Sequence, residues 1–227
     1  MNSVIQTLDR KTMEQGSLQI RDCGMVEYRN MLRTQLMLCK ERQSGKIPNT
    51  VLIVEHPPVI TLGARQSRNK LLFSRSELAR NHVDVVDIRR GGGTTAHNPG
   101  QLVLYPILNL QQLGLCIREY IRKLETIGAE LLRPFDILCT RNDDFPGLWV
   151  ETRKIASIGV RVSRFTTYHG MAINIHNNLS IFDFIVPCGL DHVEMTSVLK
   201  ETGKRYSLTE VKKYLTPLLK NHFSNNG

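Results

Sequence analysis

The sequence has no long hydrophobic run and no apolar leader. Its apolar stretch Val51–Val54 stops at Glu55, far short of the roughly 18 residues that a membrane span needs. The first thirty residues contain four acidic residues and no apolar h-region, so they resemble neither a secretory signal nor an acid-poor transit peptide. We therefore expect a cytoplasmic protein, or a protein of the mitochondrial matrix if the source is eukaryotic.

Metal-binding cysteine pairs, internal repeats and flexible linkers are also missing from the sequence. The five cysteines include no CxxC pair, which argues against structural zinc and against a disulfide framework. No Gly/Ser-rich linker or fixed-period repeat divides the chain, so residues 1–227 are expected to form one domain, with a C-terminal sub-lobe after about residue 187 as an option.

The charge is strongly basic, but aromatic residues are scarce. Thirty Lys and Arg residues stand against 21 Asp and Glu residues, giving a formal net charge of +9. This charge favours an acidic partner. Aromatic residues make up only 6% and the basic residues are scattered, so the stacking platform of a nucleic-acid-binding protein is not indicated.

Hydrophobic periodicity predicts an α+β fold, with a mixed β-sheet and flanking helices, rather than a regular βαβ alternation. Helices are predicted over residues 25–43 and 113–133, and a third follows the capping-box pair Ser207 and Glu210. Strands of one sheet are predicted at residues 51–54, 59–62, 83–88 and 102–108. A second group of strands is predicted at residues 135–139, 148–150, 155–162 and 167–175.

A glycine-rich loop between two predicted strands is the first candidate for ligand binding. It runs from Arg89 to Gln101 and includes three consecutive glycines, which let a ligand approach main-chain N–H groups closely. The loop satisfies the GxGxxA spacing of dinucleotide sites, but Pro99 and Gly100 interrupt the helix that such a site requires. A plain hairpin connection is the alternative. A lone histidine such as His97 is more often structural than catalytic.

Three further segments carry residues capable of chemistry. Lys154 begins a strand with small residues after it; taken alone, such a lysine is usually a solvated charge on an edge strand. His169 precedes Gly170 in another strand and fits a core, ligand or base role equally well. Cys188 stands between Pro187 and Gly189, and the small side-chain bulk around its thiol suits a nucleophile that a bulky acyl donor must reach. A small buried hydrophobe is the alternative. The other cysteines fit better as small buried hydrophobes.

Together these segments resemble the lipoyl(octanoyl) transferases, the LipB proteins. The resemblance covers residues 51–191 in the family's order and spacing. Its motifs are Glu55-His-Pro-Pro-Val-Ile-Thr-Leu-Gly63, the Arg-Gly-Gly…His…Pro-Gly-Gln loop, Lys154-Ile-Ala-Ser-Ile-Gly-Val, His169-Gly and Pro187-Cys-Gly-Leu. So many ordered motifs make coincidence improbable.

The resemblance implies a fold like that of the lipoate and biotin protein ligases. It implies an enzyme that transfers octanoyl from acyl carrier protein to a lysine of lipoyl domains in 2-oxoacid dehydrogenase complexes and of the glycine cleavage H protein. By the same resemblance Cys188 forms a thioester and Lys154 lowers the pKa of its thiol, with His169 as a secondary candidate. No cofactor or metal, no nucleic acid or membrane partner and a monomeric state are expected. The implied substrate-binding residues are Arg90, Gly91, Gly92, Gly93, Thr94, Thr95, Ala96, His97, Ser157, Ile158, Gly159, Gly170, Met171 and Ala172.

The glycine-rich loop departs from the family pattern in part. Ala96 and Asn98 stand where the family has an aromatic residue and a glycine, and Gly93-Thr94 replaces Gln-Val. These changes move the loop toward the lipoate ligases, so an ATP-dependent ligase is the alternative enzyme. A non-catalytic module that binds an acyl carrier is the alternative without turnover. The Pro187-Cys188-Gly189-Leu190 motif weighs against the ligase, which needs no thioester cysteine.

Overall fold

The computed structural model describes residues 18–187 and 193–224. Its strands are β1 (Gln19–Met25), β2 (Thr50–Glu55), β3 (Val59–Leu62), β4 (Asp84–Asp87), β5 (Thr95–His97), β6 (Gln101–Ile107), β7 (Gly147–Val150), β8 (Arg153–Ser163) and β9 (Thr166–Asn174). Its α-helices are α1 (Tyr28–Gln43), α2 (Arg75–Arg80), α3 (Ile117–Leu132), α4 (Val198–Thr202) and α5 (Leu208–Phe223). Short 3-10 helices cover Gln66–Arg68, Arg133–Phe135 and Leu179–Phe184. None of these helices is long and apolar enough to cross a membrane.

The strands form two mixed sheets, as an α+β fold requires. The larger sheet has the order β1-β2-β6-β9-β8-β7, in which β1 and β2 are parallel and the other neighbours antiparallel. The smaller sheet has the order β4-β3-β5. The α+β class with a mixed sheet is therefore confirmed.

Helices cover both faces of the larger sheet. On one face α3 and α5 pack through buried residues such as Leu124, Ile127 and Leu215. Both helices begin with a capping box; in α5, Ser207 Oγ accepts from the Glu210 N–H and the Glu210 carboxylate accepts from the Ser207 N–H. Each box satisfies helix-end donors that would otherwise be unpaired. Because α4 and α5 contribute to the same core as α3, the C-terminal segment packs with the rest of the chain.

The opposite face of the larger sheet packs against α1. Met31, Leu38 and Cys39 of α1 meet side chains of β2, β6 and β9. Glu27 caps this helix, because its carboxylate accepts from two backbone N–H groups of the first turn. The smaller sheet has its own core with α2 and the 3-10 helix Leu179–Phe184. The space between α1, the larger sheet and β5 forms the cavity described below.

Several expectations about secondary structure are wrong. The strands before residue 108 do not form one sheet: Pro57 and Pro58 follow β2, and proline cannot donate to a ladder, so β3 and β4 join β5 in a separate sheet. Residues 135–139 are not a strand, because Pro134 lies in a 3-10 helix and Asp136 has a φ of 59°.

Helix starts and cysteine burial also differ from expectation. Helix α1 begins at Tyr28 and not at residue 25, because residues 19–25 form β1 and Glu27 is the N-cap. Helix α3 begins at Ile117 and not at residue 113, because the chain turns at Gly114, whose φ is 62°, and Cys116 is the N-cap. Cys116 is therefore exposed, whereas Cys39 is buried and Cys139 half-buried. Strand β1 and helix α2 were not predicted; the capping box of Ser74 and Glu77 was the available signal for α2.

Candidate active site

A small cavity of about 40 Å³ lies between the first turn of α1, the glycine-rich loop and strands β6, β8 and β9. We call it the inner cavity. It is lined by Tyr28, Arg90, Gly92, Thr95, His97, Val103, Tyr105, Ser157, Ile158, Gly159, His169, Gly170, Met171 and Ala172. Valine, isoleucine, methionine and alanine side chains give it an apolar section, and the tyrosines and histidines give it a polar one.

A second, larger cavity adjoins the inner cavity and opens toward solvent. This outer cavity has a volume of about 370 Å³, and Gly92, Ile158 and Gly159 line both cavities. Its other lining residues are Arg65, Arg68, Gly91, Ile117, Ile121, Asp143, Asp144, Phe145, Pro146, Lys154 and Val160. Lys154 therefore lies in the wall of the cavity that adjoins the inner one.

Lys154 is buried, with 1% of its surface exposed, so the expectation of a solvated edge-strand charge is wrong. Its Nζ lies 4.9 Å from the centre of the Trp149 ring, a cation–π arrangement. Its backbone is fixed on the other side, because the Lys154 N–H donates to the Glu194 carbonyl at 2.8 Å and its carbonyl accepts from the Thr196 N–H at 2.9 Å. A buried ammonium held in one position suits electrostatic or proton-transfer chemistry.

Glycine at position 147 is required for this placement of Lys154. Gly147 has a φ of 144°, and a Cβ there would lie 2.2 Å from the Ala156 carbonyl oxygen and 2.9 Å from Lys154 Cε. Its N–H donates to the carboxylate of Glu125, a buried side chain on α3 that also pairs with Arg122. The α3 carboxylate thus holds the start of β7 against the lysine.

In the predicted binding segments, three glycines stand where neighbouring backbone leaves no room for a side chain. A Cβ at Gly170 would lie 2.1 Å from the Leu104 carbonyl oxygen, and one at Gly93 would lie 2.3 Å from the Arg68 carbonyl oxygen. A Cβ at Gly159 would lie 2.8 Å from the Gly91 carbonyl oxygen. Backbone atoms of neighbouring segments therefore occupy the space that a side chain would need at these three positions. Gly159 and Gly170 line the inner cavity with their backbone.

Two buried histidines and two tyrosines line the polar part of the inner cavity, and buried His56 packs against them. His56 donates through Nδ1 to the Val26 carbonyl at 2.7 Å and accepts from the Tyr105 hydroxyl at 2.8 Å. His97 donates to Gln101 Oε1 at 2.7 Å, as expected of a structural histidine. The ring of Tyr28 stacks on His97 at 5.6 Å. We call His56, His97, His169, Tyr28 and Tyr105 the histidine–tyrosine cluster.

Burial keeps every histidine of this cluster neutral. It lowers the pKa of His56 to about 4 and that of His169 to about 3, with Arg90 and Arg161 adding to the effect at His169. Burial, together with the neighbouring His56, also holds the pKa of His97 well below its usual value. Burial raises the pKa of Tyr28 to about 12. At neutral pH the cluster therefore offers hydrogen-bond donors and acceptors without charge.

Known proteins share both the sequence and the fold. The model of the lipoyl protein ligase A/B catalytic domain matches residues 27–220. An octanoyltransferase of Syntrophobacter fumaroxidans is 44% identical over 188 residues, which cover 83% of this chain and 82% of the relative. The chain belongs to the octanoyltransferase family. It is therefore an acyltransferase, and the predicted LipB resemblance is confirmed.

Two further relatives extend the comparison. A mitochondrial octanoyltransferase of Arabidopsis thaliana is 38% identical over 196 residues, covering 86% of this chain and 83% of the relative. A bipartite lipoate protein ligase of Thermoplasma acidophilum has a TM-score of 0.67 at 14% identity, covering 92% of this chain and 84% of that one. The second comparison confirms that the fold is that of the lipoate ligases.

The predicted binding residues of this octanoyltransferase fall into three groups. Those that line the inner cavity are Arg90, Gly92, Thr95, His97, Ser157, Ile158, Gly159, Gly170, Met171 and Ala172. Gly91 lines the outer cavity. Gly93 packs on Arg68, Thr94 Oγ1 accepts from the Lys70 N–H, and Ala96 lies in the core of the smaller sheet. Cys188 lies outside the described residues.

Sequence reasoning missed several residues of the octanoyltransferase site. Tyr28 and Tyr105 lie in segments that were interpreted only as a helix face and a strand, and Trp149 was not assigned a role. Tyr105 falls in the predicted strand over residues 102–108, within a run of otherwise apolar residues. A tyrosine hydroxyl in such a run requires a buried partner, which is a signal that could have indicated the cluster.

Proposed function

We propose that this chain transfers an octanoyl group from acyl carrier protein to a lipoyl-domain lysine through a thioester on Cys188. The acceptors are the lipoyl domains of 2-oxoacid dehydrogenase complexes and the glycine cleavage H protein. The reaction takes place in the cytoplasm, or in the mitochondrial matrix of a eukaryote. Buried Lys154, in the lining of the outer cavity that adjoins the inner one, is the observation that carries this proposal.

The reaction proceeds in two balanced acyl transfers. The Cys188 thiolate attacks the carbonyl carbon of the donor thioester, a new C–S bond forms, and the carrier's thiolate leaves and takes up a proton. The neutral lysine amine of the lipoyl domain then attacks the Cys188 thioester, the amide bond forms, and the cysteine sulfur leaves. The amine loses one proton in this step. Since a thioester supplies the energy of the amide bond, no ATP is consumed.

Lys154 has two roles in this scheme. A positive charge beside Cys188 favours its thiolate and so lowers the pKa of the thiol. The same side chain passes a proton to the leaving carrier thiolate and accepts one from the attacking amine. Supporting this arrangement, the chain is anchored on both sides of residues 188–192: the Val186 N–H donates to the Lys70 carbonyl, and the Glu194 carbonyl accepts from the N–H of Lys154 itself.

The inner cavity, together with the part of the outer cavity that adjoins it, is the proposed octanoyl site. Its apolar section is formed by Val103, Ile158, Met171 and Ala172, and each buried methylene contributes about 0.8 kcal/mol. An eight-carbon chain therefore gains several kcal/mol from this site. The net charge of +9 steers the two acidic protein partners toward the enzyme one after the other.

The test is the intact mass of the protein after incubation with octanoyl-acyl carrier protein in the absence of ATP. The wild type is expected to gain one octanoyl group that hydroxylamine removes, and Cys188→Ala is expected to gain none. Cys116→Ala is the matched control, because Cys116 is exposed but lies outside both cavities. It should acquire the adduct as the wild type does.

Two results would contradict the proposed function. Normal transfer to a lipoyl domain by Cys188→Ala would exclude the thioester. Modification of the lipoyl domain only when ATP and free octanoate or lipoate are supplied would identify a ligase instead.

A further inference from the structure

Thr196 is a buried residue that forms hydrogen bonds through its N–H, its carbonyl and its hydroxyl. Its exposed fraction is 0%. Its N–H donates to the Lys154 carbonyl at 2.9 Å, and its own carbonyl accepts from Nδ2 of Asn174 at 2.9 Å. Its hydroxyl donates to the carboxylate of Glu201. We call Thr196, Asn174 and Glu201 the threonine clamp.

The threonine clamp lies where the ladder between β8 and β9 ends. That ladder begins at Ala156, which pairs with Ile173, so Lys154 lies beyond its last rung. There the backbone of Lys154 pairs with the segment 194–196 through an isolated parallel bridge to Met195. Since a single bridge has no neighbouring rungs to support it, the position of the lysine depends on what holds this segment in place.

Asn174 holds the segment from the side of the inner cavity. It lies at the end of β9 with 1% of its surface exposed, and its Oδ1 accepts from Nε2 of Gln101 at 2.8 Å. Gln101 Oε1 is in turn the acceptor for His97, which lines the inner cavity. A buried network whose members are all hydrogen-bonded keeps one arrangement. The amide that binds the Thr196 carbonyl is therefore fixed itself.

Glu201 of α4 holds the segment from the opposite direction and ties it to the residue next to Lys154. Its carboxylate accepts from the Arg153 guanidinium, at 2.9 Å from Nε and at 3.1 Å from Nη2. A bidentate pair of this kind fixes geometry as well as charge. Because Thr196 Oγ1 donates to the same carboxylate, the hydroxyl links α4 and the start of β8 to the backbone that carries the lysine.

We propose that Thr196 is a positioning residue of the transfer reaction, which holds the Lys154 backbone so that the ammonium keeps its place in the wall of the outer cavity. This proposal rests on the proposed role of Lys154. A misplacement of about 1 Å can lower a rate by about a hundredfold, so a group that passes protons depends on such support. Thr196 lines neither the inner nor the outer cavity, and it therefore acts through the lysine and not on the substrate.

The test compares Thr196→Val, which exchanges the hydroxyl for a methyl group, with Thr196→Ser, which keeps the hydroxyl. In Thr196→Val the kcat for octanoyl transfer to a lipoyl domain should fall about tenfold, while the KM for octanoyl-acyl carrier protein changes by less than about twofold. Thr196→Ser should keep at least about half of the wild-type kcat. Circular dichroism melting ensures that every rate is measured on folded protein.

Thr50→Val is the matched control. Thr50 is as buried as Thr196, and its hydroxyl also donates one hydrogen bond, to the Pro48 carbonyl at 3.0 Å. It lines neither cavity. Thr50→Val should therefore transfer octanoyl at the wild-type rate, although it loses a buried hydrogen bond as well.

A double-mutant cycle with Lys154→Met separates positioning from a general loss of stability. If Thr196 acts through Lys154, adding Thr196→Val to Lys154→Met should lower the single-turnover rate by less than about twofold. A general loosening of the fold would lower the rate in both backgrounds alike. Enzyme in excess over the acyl carrier protein, followed by intact mass over hours, makes these slow reactions measurable.

Three results would overturn the proposal: a kcat of Thr196→Val within about twofold of the wild type, equal losses in Thr196→Val and in Thr196→Ser or Thr50→Val, or a full further loss in the Lys154→Met background. If Thr196→Val does not fold, Thr196→Ala takes its place, because it puts no methyl group against the Glu201 carboxylate. If Lys154→Met transfers nothing, the comparison with Thr196→Ser and Thr50→Val decides alone. Wild-type transfer by Lys154→Met would instead refute the proposed role of the lysine, and the clamp's role in the reaction with it.

Discussion

The three buried histidines predict that acid weakens the folded state well above the range in which carboxylates titrate. Burial lowers the pKa of His56 to about 4 and of His169 to about 3, and holds that of His97 well below its usual value. In the unfolded chain each imidazole titrates near pH 6.5. The unfolded state therefore binds more protons below that pH, and stability is lost as pH falls from about 6.5 toward 4.

The magnitude follows from the two pKa values. Between about pH 7.5 and pH 5.5, each histidine that stays neutral in the folded state lowers the free energy of unfolding by slightly more than about 1 kcal/mol. The figure depends little on the folded-state pKa, provided that it lies below about 5. His56 and His169 together thus remove about 2 to 3 kcal/mol, a large share of the about 5–15 kcal/mol that is typical of a domain. His97 acts in the same direction.

Urea denaturation at the two pH values measures this loss, with fluorescence of the single tryptophan, Trp149, as the signal. His56→Gln keeps a side-chain donor but cannot titrate, so it should reduce the loss by about 1 kcal/mol. His82→Gln, at an exposed site, is the control and should leave it unchanged. A wild-type free energy of unfolding that is the same at both pH values would refute the reasoning.

Three further predictions concern the lysine, a packed glycine and a helix cap. Lys154→Met should reduce octanoyl transfer about a hundredfold or more without lowering the melting temperature in circular dichroism; a reduction below tenfold would contradict its role. Gly170→Ala should lower the free energy of unfolding in urea by about 3 kcal/mol, since its Cβ would lie 2.1 Å from the Leu104 carbonyl. Gly114→Ala, with open space around it, should cost about 1 kcal/mol, and equal losses would contradict the packing argument. Ser74→Ala should cost about 1 kcal/mol through the lost cap and leave transfer unchanged in the same assay.

Elements with strong local signals could be predicted from the sequence, and elements that depend on tertiary contacts could not. The capping box of Ser207 and Glu210 begins α5 where it was expected. Strand β1 has no such signal: it is mostly exposed or half-buried, and it forms by pairing in parallel with β2. The division into two sheets likewise depends on which strands pair with β3 after Pro57 and Pro58. Its partners, β4 and β5, are distant in the sequence, so the local pattern does not specify the pairing.

The site shows the same division between local motif and spatial assembly. The glycine-rich loop and the segments after Lys154 and His169 could be selected by their residue types, and the structure brings parts of all three to one cavity. Tyr28 and Tyr105 join them only through the packing of α1 and β6. The burial of Lys154 could not be predicted, because it arises from Trp149 of the neighbouring strand and from the backbone of residues 194–196.

The polar end of the inner cavity serves the fold itself. His56 links the Val26 carbonyl, just before α1, to the Tyr105 hydroxyl on β6, so the helix and the sheet are joined by a hydrogen-bonded chain rather than by apolar contact alone. A satisfied buried network of this kind holds one arrangement of its members. His169 stands beside this network without a partner of its own in the described chain. The network therefore fixes the walls of the inner cavity, which the His169 imidazole also lines.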